Sequence, residues 1–148
     1  MSKGIWIVVE QREAQIRKVS LELLSQGRVI ADETGEPLVA VALGQNIKDL
    51  AQEVASYGAD KVITVEDEKL AEYTTGAYTS VLNKLIRKEE PSAVLIGNSA
   101  MGKDLAPRLA QRLGVGMASD CTGMAKDDAN FLTFKRPIYG GKAFADVA

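Results

Sequence analysis

The sequence predicts an α/β domain with a doubly wound, mainly parallel sheet, and three observations carry that reading. Short, unbroken apolar runs rich in β-branched residues recur along the chain, each too brief for a helix. Each is followed by an apolar stripe at spacings of three and four, the mark of a helix lying on a sheet. Glycine or proline then closes the stripe and a new run begins. Alternation of this kind implies parallel strands joined by crossover helices on both faces.

The elements follow in order. Ile5 to Val9 (IWIVV) is the first buried strand, and Trp6 within it is a core residue. Ile16, Val19, Leu23, Gly27 and Ile30 form one helical stripe. Glycine inside a helix costs about 1 kcal/mol relative to alanine, so Gly27 implies close packing on the sheet. Thr34, Gly35, Glu36 and Pro37 stop that helix, and Leu38 to Leu43 (LVAVAL) is the second strand. Ile47, Leu50, Ala51, Val54 and Ala55 mark a short helix that ends in a left-handed cap at Gly58. Lys61 to Val65 is the third strand, and a helix spans about Thr75 to Lys88 before Pro91. Ala93 to Gly97 (AVLIG) is the fourth strand. Leu105, Leu109, Ala110 and Leu113 mark a last helix, with Pro107 near its first turn and Gly114 after it. Beyond Gly114 the pattern turns β-like, at Asp120 to Ala125, Phe131 to Ile138 and Lys142 to Ala148, as a β-rich extension of the sheet edge or a projecting hairpin. The architecture is Rossmann-like, of the adenine nucleotide alpha hydrolase-like type, and residues 1–148 read as one domain.

Composition removes several function classes. A formal charge of −2 leaves no cationic excess to neutralise phosphates, so a nucleic-acid partner is not expected. The six-residue run Leu38 to Leu43 is far short of the roughly 20 residues of a membrane span. One cysteine, Cys121, permits neither an internal disulfide nor a CxxC pair, and it reads as a small buried hydrophobe. With no histidine, the commonest general base and metal ligand is missing. The chain is therefore expected to lack catalytic residues of its own. A strand beginning at Ile5 leaves no room for a signal peptide, and a cytoplasmic location is expected.

Three stretches invite a chemical reading. Gly97-Asn98-Ser99-Ala100-Met101-Gly102-Lys103-Asp104 follows a strand and departs from the P-loop pattern at one position. There Asp104 replaces the Ser or Thr that would ligate Mg²⁺, and its charge opposes a phosphate. The plainer reading is a strand-to-helix turn with Asp104 capping the helix or complementing its dipole, leaving Gly97, Ser99 and Gly102 as an anion or partner contact. The connection after the first strand, Glu10 to Gln15, lacks GxGxxG, so a dinucleotide site is unsupported there. Glu66, Asp67 and Glu68 read as a solvated charge run. Finally, Lys135 to Ala143 (KRPIYGGKA) sets Arg136 and Tyr139 beside the pair Gly140 and Gly141, residue types suited to an interface hot spot.

Taken in order, Gly97-x-Ser99-x-x-Gly102-Lys103-Asp104-Leu105-x-Pro107-Arg108-Leu109-Ala110, Ser119-Asp120, and Arg136-Pro137-x-Tyr139-x-Gly141-x-Ala143 resemble the electron transfer flavoprotein α subunit. The IWIVVE start and the stretch from Glu36 through Leu43-Gly44 look like that family too, so the likeness covers essentially the whole chain. The resemblance implies an α/β heterodimer that carries electrons from flavin dehydrogenases, such as those acting on acyl-CoA, to an acceptor. It implies a C-terminal α domain holding most of the FAD, and a β subunit carrying AMP or, in bifurcating members, a second FAD. This chain corresponds to the N-terminal domain that packs on the β subunit, and it stops at Ala148 without the FAD domain, so it is expected to bind no flavin alone. On that reading Arg136, Tyr139, Gly140 and Gly141 form a flavin edge or a β-subunit contact, where an arginine favours the reduced anionic flavin. The alternative is a stand-alone nucleotide-binding module resembling universal stress proteins.

Overall fold

The computed structural model describes residues 4–97 and 99–114 and, beyond them, two short strands at Gly116–Met117 and Gly123–Ala125. Cys121 and the segments Phe131 to Ile138 and Lys142 to Ala148 lie outside the described residues, as do Arg136, Tyr139, Gly140 and Gly141.

Strand β1 (Ile5–Val9) is followed by two minimal strands, β2 (Gln11–Arg12) and β3 (Gln15–Ile16), and then by helix α1 (Lys18–Thr34). Next come β4 (Leu38–Gly44), α2 (Lys48–Ser56) and β5 (Lys61–Glu66). A 3₁₀ turn at Glu68–Leu70 precedes α3 (Thr75–Glu89), β6 (Ala93–Leu95) and α4 (Ala100–Leu113). The strands at Gly116–Met117 and Gly123–Ala125 are β7 and β8.

The sheet runs β5-β4-β1-β6-β8-β7. Its first four strands are parallel, with Ile5 opposite both Leu38 and Ala93. β8 pairs antiparallel with β6, and β7 with β8, so these two short strands extend the sheet edge.

All five residues of β1 are buried because the strand is covered on both faces. Ile5, Ile7 and Val9 share a core with Leu23 and Leu24 of α1 and Leu50 and Val54 of α2. Trp6 and Val8 belong to the other core, with Leu82 of α3 and Leu105 and Leu109 of α4. Each fully buried side chain of this size contributes about 1.5–3 kcal/mol, so the two layers dominate stability. Gly27 does sit close to the sheet. A Cβ built there would lie 2.7 Å from Ile7 Cδ1 and 2.9 Å from Leu38 Cδ1.

The structure corrects several local expectations. Ile16 belongs to β3, since α1 starts only at Lys18. Gly58, at φ 110°, follows a helix that ends at Ser56, outside the left-handed helical well expected of a cap. Pro107 lies in the middle of α4, because Ser99 caps that helix a full turn earlier than its apolar stripe suggests. The ring is exposed, and so is Lys103, whose carbonyl loses its usual partner there.

Candidate functional site

Chain order reverses about β1. Its neighbour β4 is reached through α1 on one face, and its neighbour β6 follows α3 on the other. Open α/β sheets bind ligands at such a switch point, beyond the carboxyl ends of the strands. A cleft of about 680 Å³ opens there, lined by Glu10, Arg12, Arg17, Asn46, Tyr73 and Met101 among others.

Glu10 ends β1 and is only 4% exposed. Its backbone is fixed on every side. The amide donates to Ser20 Oγ at 2.6 Å, and the carbonyl accepts from the Arg17 amide at 2.9 Å. Its carboxylate accepts from Ser99 Oγ at 2.5 Å across the gap to α4. The same Ser99 oxygen accepts from the Gly102 amide at 3.0 Å, which caps α4. Burial pushes the Glu10 carboxyl up, against the opposing pull of the Ser99 hydroxyl and the Arg17 charge.

The two glycines at this turn are explained by packing. A Cβ on Gly102 would lie 1.8 Å from the Gly97 carbonyl oxygen. A Cβ on Gly97 would lie 2.6 Å from Val19 Cγ2 and 3.1 Å from Glu10 Oε2. The structure thus brings Gly97, Ser99 and Gly102 together with Glu10, whose chemistry sequence reasoning missed. Its one signal was a carboxylate placed directly after five apolar residues.

Asp104 does not cap α4, as had been expected. It accepts from Tyr73 Oη at 2.6 Å and from Thr75 Oγ1, linking α4 to the start of α3, and lies 3.9 Å from Arg108. The Thr75 and Tyr73 hydroxyls, then Arg108, hold the Asp104 carboxyl below its ordinary value. Burial, reinforced by Asp104, pushes Tyr73 up to about 12, so it stays a neutral donor. Glu66 and Asp67 are used locally: Glu66 accepts from the Ile47 amide at 2.9 Å, and Asp67 from the Lys69 amide at 2.9 Å. No cluster of three or more Cys, Asp or Glu with metal-binding geometry occurs among the described residues. No described helix is long and apolar enough to cross a membrane.

A flavin dinucleotide needs a backbone cradle for its pyrophosphate, and the turn from Gly97 to Gly102 does not have that form. Gly97 and Gly102 are pressed against protein, the Gly102 amide is already taken by Ser99, and the buried Glu10 carboxylate faces the same turn.

The fold and its cleft therefore define a class: a doubly wound α/β domain with a cleft at its switch point, beside which Glu10 and Ser99 are hydrogen-bonded. The chain belongs to the electron transfer flavoprotein domain family, whose model matches residues 5–148. It is 43% identical over 147 residues to the electron transfer flavoprotein subunit alpha of Bacillus subtilis (strain 168), covering 99% of this chain and 44% of that protein. It is 41% identical over 147 residues to the protein FixB of Clostridium saccharobutylicum, with the same two coverages. It is 42% identical over 132 residues to the acryloyl-CoA reductase electron transfer subunit beta of Anaerotignum propionicum, covering 89% of this chain and 36% of that protein. The chain spans less than half the length of these relatives.

Proposed function

We propose that this chain acts as the N-terminal domain of an electron transfer flavoprotein α subunit, a scaffold on which a β subunit docks. The whole assembly carries electrons from flavin dehydrogenases to an acceptor, and FAD held elsewhere in the intact protein supplies the redox chemistry. The domain itself is a positioning element with no catalytic role. One observation carries this reading: at the switch point, where related folds hold a ligand, the turn after β6 is occupied by the Glu10–Ser99 hydrogen bond and the tight Gly97–Gly102 packing. With that turn taken up by the protein's own groups, the contribution of the domain is the shape of its surface. The family match over residues 5–148 supports the same role.

On this reading Gly97, Ser99 and Gly102 set the rim of the docking face. Arg136, Tyr139, Gly140 and Gly141 contribute to the β-subunit contact or the flavin edge. The test is co-purification of the chain with a cognate β subunit, read by sizing chromatography. A one-to-one complex is expected, with Arg136→Ala weakening it about tenfold. Failure of the unaltered chain to form any complex with that β subunit defeats the reading.

A further inference from the structure

We propose that the free edge of β5 pairs with the same strand of a second copy of this chain, joining two sheets across a two-fold axis. This pairing is a property of the chain itself and does not depend on β-subunit docking. β5 ends the sheet order, so β4 alone pairs with it, in parallel from Lys61 to Glu66. At six residues it is the long edge, whereas β7 at the other end has two. An uncovered strand edge presents a row of N–H and C=O groups to any extended chain that can match it.

The phase of the ladder shows which groups those are. Glu66 lies opposite Gly44, and the next amide, that of Asp67, donates to the Gly44 carbonyl at 3.0 Å. Continued along a parallel ladder, this turns the backbones of Ile63 and Val65 towards β4 and those of Val62, Thr64 and Glu66 outward. Among the described residues nothing bonds to these outward groups. The apolar side chains are only half covered. Val62 packs against the α1–α2 core, and Ile63 and Val65 against the α3–α4 core, each remaining partly exposed at the edge.

The occupant follows from self-complementarity. A two-fold axis normal to the sheet makes the two strands antiparallel and keeps each face on its own side, so residues of the same parity meet. Centring that axis on Thr64 sets Thr64 against Thr64 of the second copy and Val62 against Glu66 of the second copy. The outward groups then bond one another along the strand. On the face of the α3–α4 core, Ile63 meets Val65 of the second copy as an apolar pair. One step further, Lys61 meets Asp67 of the second copy, and symmetry repeats the pair at the other end. Asp67 is still extended, at φ −162° and ψ 143°, which keeps it in the alternation. Lys61 forms no ion pair among the described residues, and there the Asp67 carboxylate is engaged by the Lys69 amide alone. Opposite charges therefore flank an apolar, hydrogen-bonded centre.

The test is sedimentation equilibrium of the chain over rising concentration. A monomer–dimer equilibrium is expected, with a Kd of roughly 0.1–1 mM because a single edge is a small interface. Thr64→Pro removes an outward amide at the axis and leaves the bonds to β4 in place, and it is expected to weaken the dimer roughly tenfold or more. Lys61→Glu, an exposed change, is expected to weaken it roughly fivefold, and adding Asp67→Lys to restore it. Urea unfolding checks that each variant is folded; if Thr64→Pro is not, the charge exchange carries the test. A chain that stays monomeric to about 2 mM overturns the proposal. A dimer indifferent to both Thr64→Pro and Lys61→Glu uses another face and overturns it too. Neither result bears on the β subunit, whose docking is read separately by co-purification.

Discussion

Two connections leave the same edge of the sheet from neighbouring strands, and they are built in opposite ways. The one after β6 is short and depends on glycine: Gly102 touches the Gly97 carbonyl so closely that no side chain fits. The one after β1 has no glycine and chain to spare. It folds into the β2–β3 hairpin, with Arg12 opposite Gln15 and Glu13 and Ala14 at the tip with φ of 54° and 61°. Two-residue hairpins ask for positive φ at both tip positions, normally met by Asn-Gly. Here non-glycine residues are held there by pairing and by Gln11, which accepts from the Ala14 amide and donates to the Leu43 carbonyl. Glycine in a loop thus reports how closely backbones approach, and its absence shows where conformational strain is tolerated.

The largest effect expected is from Gly102→Ala, which forces the Gly97 carbonyl away and costs about 3 kcal/mol or more. Urea unfolding measures it, and a loss under about 1 kcal/mol would erase the contrast between the two turns. Ala14→Gly acts in the opposite direction. Relieving a left-handed residue is expected to stabilise by about 1 kcal/mol, read from the same unfolding curves. The smallest effect belongs to Glu10→Gln. Burial raises the carboxyl in the folded state above its ordinary 4.5, so its contribution is fully present below pH 4.5 and is lost as pH rises through the folded value. Gln keeps an oxygen for the Ser99 hydroxyl but does not titrate. Its stability curve is therefore flatter than that of the unaltered chain above pH 4.5, and parallel curves would remove burial as the cause.

The parallel sheet was legible because IWIVV and LVAVAL can be continuous only when both faces are covered, and both are. Gly27 was legible for a similar reason, since nothing but a close approach explains it. The β2–β3 hairpin was not, because two-residue strands have no periodicity and Glu13-Ala14 carries no turn signature. The start of α4 was missed since Pro107 looked like a first-turn residue, while Ser99, the actual cap, sat in a stretch that resembled a phosphate loop. Glu10 was missed for want of any one-dimensional sign that Ser99, 89 residues away, would meet it.

At the opposite edge, Glu36 gathers what the switch point divides. Its Oε1 accepts from the Gly4 amide at 2.8 Å and from Ser92 Oγ at 2.7 Å, so one atom joins the approaches to β1, β4 and β6. The Ile5 amide donates to the Pro37 carbonyl and the Ser92 amide to the Gly4 carbonyl, closing the knot. Fraying at any of these strand starts withdraws a ligand from the same acceptor. Amide-exchange rates at Gly4, Ile5 and Ser92 should therefore rise and fall together, as a single opening unit.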